Sequence, residues 1–547
     1  MPSANFHFLE LPVELHLEIL SELEPHEITH LSQTCKALRV VCSIRQVWEA
    51  ALKKICQVNS IFEPSYYPME SMDLQDLRRS ALQHWRWNER CLGAAHSDSA
   101  TDATQVQEAN ASADVVLHCD LSAAIGTSDY LFSFRRVYLV PGGRYVFGIA
   151  GHSLHRKVLC IWDLGPARPL QPFTTQGLHP LLVKEFGWHI DDDVSEPVIY
   201  GQCLRYVVRS TTMRHGSRDT EATFQVFQVG PLPEDPRVRK MAEFAPGVPI
   251  MNDEVVRHWI DGDRVYIHIS DSVFIWDFRR SLIATCVLSL LANNAPGGSL
   301  YQFTATGDRL IVCSSSVIWV WCTPPFEKLV LPLTLPVNDL EPMLRVPLRN
   351  LYTAADHTRL WSYLVLPEQR TSSCIRPAPS IEFDLVYIPD SHDPEATPQI
   401  LVHRYALNFT LAYWGQNPLA LVSKSSPPSD FPPIPLYDGR PRDFRYSVKQ
   451  ISSSLGGRST AVVYSSPRMS EPTAICLLHT SPRSPVTPDG TRRWQHTTSK
   501  TAHVVQTTSS YDALSGRLAY ICTNQTCGWD HGAGTEKLSG VHIINTV

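Results

Sequence analysis

Seven pairs of short β-type runs, spread from residue 144 to residue 546, constrain the fold of this chain more than any other feature. Residues 144–151 (RYVFGIAG) precede 158–164 (VLCIWDL), 204–210 (LRYVVRS) precede 223–229 (TFQVFQV), and 264–270 (RVYIHIS) precede 272–278 (SVFIWDF). Four more pairs follow: 309–315 with 317–322, 358–366 with 381–388, 460–466 with 473–479, and 516–522 with 540–546. Alternation and enrichment in Val, Ile, Tyr and Phe are the marks of strands. Before the first strands stand Pro141-Gly142-Gly143, Asp261-Gly262-Asp263, Gly307-Asp308, Gly456-Gly457 and Ser515-Gly516, which supply the backbone freedom of tight turns.

Pairs repeated at loosely regular spacing predict radial repetition, a β-propeller; two packed β-sandwiches are the competing architecture. Trp162-Asp163 and Trp276-Asp277 resemble the strand ending of WD repeats, without the partner Gly-His signature, so the resemblance is to a degenerate WD-like propeller. At roughly 40–45 residues per blade, seven blades need about 280–315 residues. Residues 114–547 supply 434, which leaves room for insertions such as the Pro-rich stretch 427–441 and a loop at 481–500. The expected β domain, 114–547, is a propeller of seven blades, give or take one. Residues 115–121 (VVLHCDL) are a strand without a neighbouring mate. They are expected to complete the last blade, built from 516–547, which makes Ile543 and Ile544 structural and removes an open edge that would invite aggregation.

The N-terminal part is of another kind. Pro12 fits the first turn of a helix, where its missing N–H costs nothing. Leu15, Ile19, Leu20 and Leu23 recur at helical spacing as one apolar stripe. Glu24-Pro25 stops that helix, and Pro25 opens a second with Ile28 and Leu31. Thr34 or Ser32 can cap a third, with Cys35, Leu38 and Val41 on one face. Three helices in so short a run enclose a very small core, of the sort usually completed by a partner.

The order Leu11-Pro12-x-Glu14-Leu15, Ile19-Leu20, Leu23, Glu27-Ile28, Leu31, Thr34-Cys35-Lys36-x-Leu38-Arg39, Val47-Trp48 resembles the F-box. The resemblance covers residues 1–50 and makes the chain a multidomain α+β protein: F-box, helical linker (51–92), flexible loop (93–113), then the β domain. It implies docking to the Skp-family adaptor of a cullin-based ubiquitin ligase. Leu11, Pro12, Glu14, Leu15, Ile19, Leu20, Cys35, Leu38, Val47 and Trp48 are the expected adaptor-binding residues. In the linker, Leu74, Leu77, Ala81 and Trp85 fall on one helical stripe. Residues 93–113 hold no aromatic and a single large apolar residue, Val106, too little to order a segment.

Composition bounds the partners. An apolar fraction of 43% with 19% charged residues describes a globular chain. Net charge is −6 without clustered Lys or Arg, so neither a nucleic acid nor a membrane is an expected partner. The first residues carry no basic region followed by an apolar core, so the expected location is intracellular, in cytoplasm, nucleus or both. The 14 cysteines lack a framework spacing and read as reduced and mostly buried, and three Asn-x-Ser/Thr sequons (at Asn110, Asn408 and Asn524) read as unused.

No motif of a catalytic centre emerges. Cys522, Cys527 and His531 could be drawn as a zinc site, but the second close ligand pair is missing. His152 and His155 read as exposed turn residues, and Asp191-Asp192-Asp193 as a solvated loop without EF-hand spacing. Trp319 and Trp321 share a strand face and read as packing between sheets. The Ser-Pro and Thr-Pro steps at 481–488, near Arg492 and Arg493, read as a plain loop that phosphorylation could order. The expectation is therefore a non-enzyme without cofactor or metal: a substrate-recognition subunit that binds adaptor and cullin through the F-box and an unknown target through the propeller. Two alternatives stay open: an adaptor-bound scaffold outside the ligase, and a propeller enzyme or ligand-binding protein with a helical appendage.

Overall fold

The computed structural model describes residues 11–94 except residue 60, the short strand 115–117, the strands and shorter connections between 133 and 347, and strands alone between 361 and 545. Helices come first: α1 (Val13–Glu22), α2 (Pro25–Thr34), α3 (Lys36–Val41), α4 (Arg45–Val58) and α5 (Leu74–Ala94), with 3-10 turns at Glu63–Tyr66 and Met69–Ser71. The ends obey local chemistry. Pro12 is the cap of α1 rather than a residue of its first turn, and its carbonyl accepts from the N–H groups of Leu15 and His16. Glu24 and Glu27 form a reciprocal capping box on α2, with Glu24 N donating to Glu27 Oε2 at 2.9 Å. Thr34 and Ser32 do not cap α3: their hydroxyls turn back to the carbonyls of Leu31 and Thr29, and Cys35 stands at the cap without a side-chain bond.

The small core of the first three helices is completed by this chain's own next segment. Leu20, Ile28 and Cys42 share one buried cluster with Val47, Trp48, Leu52 and Cys56 of α4, with Tyr66, Met69 and Met72, and with Leu77, Ala81 and Leu82 of α5. A boundary at residue 50 would cut α4 in its middle, so F-box and linker are one helical unit.

Beyond it the regular structure among the described residues is all strand. Each of the seven predicted pairs is hydrogen-bonded antiparallel, and each lies in a different sheet. Among the described residues there are seven sheets of four to six strands. The first runs Ser133–Leu139, Tyr145–Gly151, Lys157–Asp163, Leu182–Phe186. The second spans Ile190–Ile250, the third Val256–Lys328 and the fourth Gln302–Pro347, the outermost strand of the third (Glu327–Lys328) following three strands of the fourth in sequence. Successive sheets share cores where burial is described: first with second, second with third, third with fourth. Trp319 and Trp321 pack there, between third and fourth sheets.

The seventh sheet unites distant parts of the chain. Val115–Leu117 pairs antiparallel with Gly540–Asn545, Val115 opposite Ile543, as expected for 115–121. Leu117 and Ala519 are fully buried against Phe134, Val146 and Trp162 of the first sheet. Two loop expectations are corrected. Asp191, Asp192 and Asp193 lie in a strand, Ile190–Val194, and the stretch 481–500 contributes Arg492–Arg493 to the fifth sheet and Gln495–Lys500 to the edge of the sixth. The proposed loop 93–113 (past Ala94), the Pro-rich stretch 427–441, and His152, His155, Cys527 and His531 lie outside the described residues.

Helical unit and sheets meet through residues 61–69. Phe62 is fully buried in the core shared by first and second sheets, 5.7 Å from the Tyr145 ring, and its N–H donates to the Pro141 carbonyl at 3.0 Å. Gly142 allows this approach: its φ is +102°, and a Cβ there would lie 2.6 Å from Ser65 Oγ.

Candidate functional site

The expected adaptor-binding residues divide into two groups. On α1, His16 and Leu20 face the core with Leu17 and Leu23 beside them. That leaves Leu15 43% and Ile19 39% exposed, with Val13 at 46% and Pro12 and Glu14 also outward. The helix therefore buries a different stripe from the one its most apolar residues suggest. Leu11 and Cys35 are half-buried. Leu38 turns inward on α3, and Val40, 65% exposed, takes the outward position.

Trp48, Val47 and Leu20 belong to the core and not to a free surface. Trp48 Nε1 donates to the Cys42 carbonyl at 2.7 Å. The Arg78 guanidinium lies 5.3 Å over the Trp48 ring and donates to the same carbonyl and to Ser43 Oγ. Arg45 binds Glu49 one turn on and donates to the carbonyls of Met69 and Met72, so α4 holds the 3-10 turns in place. The burial that holds this unit together thus presents Pro12, Val13, Leu15, Ile19 and Val40 to solvent. Covering such groups is favourable by about 25 cal/mol per Å² of apolar surface.

A cleft of about 230 Å³ lies where the helical unit meets the second sheet. Glu49 and Lys53 of α4, Tyr67 and Glu70, and Gln202 and Glu234 of the sheet turns line it. Tyr67 Oη donates to Glu63 at 2.8 Å and accepts from Gln202 Nε2 at 3.3 Å, and burial pushes its hydroxyl up to about 12. Among the described residues no group of three His, Cys, Asp or Glu side chains could hold a metal ion, and no helix is long and apolar enough to cross a membrane.

Residues 8–53 match the F-box-like family. The F-box-like domain thus takes in α1, α2, α3 and the first half of α4, and it implies a protein that binds a Skp-type adaptor. No curated protein matches the chain. Among solved structures it is similar to the complex of the fission yeast SREBP–SCAP binding domains, at 12% identity and TM-score 0.25, over 50% of this chain and 61% of that one. It is also similar to MPT-1, a GDP-Man-dependent mannosyltransferase from Leishmania mexicana, at 8% identity and TM-score 0.21, over 66% of this chain and 90% of that one. A third is AofleA from Arthrobotrys oligospora, at 10% identity and TM-score 0.29, over 76% of this chain and 87% of that one. Scores this low assign neither fold nor activity.

Proposed function

We propose that this chain is a substrate-recognition subunit of a Skp–cullin–F-box ubiquitin ligase. One observation carries the reading: the F-box-like match over residues 8–53 coincides with helices whose buried faces are satisfied within the chain while Leu15, Ile19 and Val40 remain uncovered. In this reading those residues, with Leu11, Pro12 and Glu14, meet the adaptor, which links the chain to a cullin. The β region is a seven-bladed, WD-like propeller that holds a target protein. Seven sheets each containing one of the strand pairs, shared cores between the first four in chain order, and a last sheet that contains residues 115–117 and packs on the first support that architecture. The subunit performs no chemistry itself, needs no cofactor, and works in cytoplasm or nucleus by raising the local concentration of target lysines near a charged conjugating enzyme.

The test is affinity purification of the full chain beside Leu15→Ala/Ile19→Ala. The native chain should bring down a Skp-type adaptor and a cullin, and the double variant should lose both at unchanged melting temperature. Adaptor without cullin would favour the scaffold outside the ligase; neither partner from the native chain overturns the reading.

A further inference from the structure

An arginine stands within two residues of the start of the leading strand in all seven pairs, at positions 144, 205, 264, 309, 359, 458 and 517. Two of them show what the position does between neighbouring sheets. Arg517 of the seventh sheet is buried and donates through Nη1 to the carbonyl of Gly143, in the first sheet's turn. Arg205 of the second sheet is fully buried and donates through Nη1 to the carbonyl of Gly262 at 3.0 Å and to Asp263 at 2.6 Å, in the third sheet's turn. In both cases the arginine of one sheet reaches a glycine carbonyl in the turn of the next.

By the same rule Arg144 of the first sheet would address the Gly201-Gln202 turn of the second. It does not. Its Nη1 donates to the backbone carbonyls of Pro64 and Tyr67, in the segment joining α4 to α5. Its other two nitrogens clasp both oxygens of Asp163 at 2.7 Å, a two-pronged pair that fixes the guanidinium plane. Gln202, on the far side of the gap, gives its side-chain amide to Tyr67 Oη, and its carbonyl is taken by Leu232 N–H. The helical unit has thus inserted a loop between an arginine and the turn it would otherwise bind.

We propose that Arg144 is the positioning residue that latches the F-box-bearing helical unit to the rim of the β region. It selects the gap between first and second sheets and fixes how the adaptor-binding helices are aimed relative to whatever the β region holds. The latch itself does not rest on the ligase reading; its effect on ubiquitin transfer does.

The experiment is amide hydrogen exchange on the full chain and on Arg144→Ala, Arg144→Lys and Arg205→Ala. A charged hydrogen-bond donor lost from a buried site changes an opening equilibrium by about tenfold or more, so Arg144→Ala should speed exchange of residues 61–72 by that factor. Strands 145–151 and 204–210 should keep their protection, and adaptor capture should persist. Arg144→Lys cannot serve Asp163 and both carbonyls in one plane and should recover only part of the protection. Arg205→Ala should loosen second and third sheets and leave residues 61–72 unchanged. Unchanged exchange of 61–72 in Arg144→Ala, or an equal rise throughout both sheets, overturns the latch. Should Arg144→Ala fail to fold, Asp163→Asn takes away the two-pronged partner that fixes the guanidinium plane, and it must release 61–72 before the sheets or the idea fails. Loss of the latch with ubiquitin transfer unaltered would refute the aiming role alone, whereas failure to capture adaptor at all would strike the ligase reading.

Discussion

Leu15 and Trp48 belong to one short helical motif and look alike to a periodicity argument, yet they fall on opposite sides of the protein's surface. Trp48→Ala should cost about 3–5 kcal/mol through its cavity and leave the Cys42 carbonyl short of a donor. Leu15→Ala should stay within roughly 0.5 kcal/mol of the native stability, as surface changes do. Thermal unfolding of the two variants beside adaptor capture checks the distinction: only Leu15→Ala should lose capture while melting normally. The apolar positions of the motif were legible because its spacing is helical. Which of them are covered was not, because α1 buries His16, a residue that hydrophobic patterning places outside, and this rotates Leu15 and Ile19 into solvent. Trp48 is covered by Arg78 and by residues of α5, thirty positions on, which no local pattern reveals.

Strands that pack on both faces announced themselves: Tyr145–Gly151 and Lys157–Asp163 are buried almost throughout and read as continuous apolar runs. Edge strands did not, and Gln495–Lys500 (QHTTSK) has nothing apolar to betray it. Its pairing is fixed by the backbone and by its neighbour Ala474–His479. The short strand Val115–Leu117 was found because it had no mate in sequence, and its partner lies at the other extreme of the described chain. Deleting residues 115–117 should bare one side of Gly540–Asn545 and remove Leu117 from the core shared with the first sheet. The expected result is a melting temperature lower by several degrees, since burying a leucine side chain is worth about 1.5–3 kcal/mol, together with concentration-dependent light scattering. Unchanged melting and a clear solution would show that the seventh sheet does not depend on this strand.

On the scale of the molecule, sequence composition places the division between helical and β parts at 93–113, and residues 61–69 make a joint between the two that composition does not reveal. A sequence shows where apolar residues run out; it does not show that Phe62 leaves its own unit to enter another's core. Limited proteolysis at 95–113 should therefore nick the chain without parting it, and the fragments should co-elute in gel filtration until denaturant is added. Separation under native conditions would contradict the joint. A truncation meant to keep the β region intact must retain 61–69, because removing Phe62 empties a site bounded by Val140, Tyr145 and Leu232. The same long-distance construction sets a timetable for synthesis. At roughly 5–20 residues per second a ribosome needs about 20–90 s to travel from residue 117 to residue 540, and for that whole interval the strand at Val115–Leu117 has no partner. A chain cut short before residue 540 therefore keeps the strand at Val115–Leu117 without its mate, an open edge of the kind that invites aggregation.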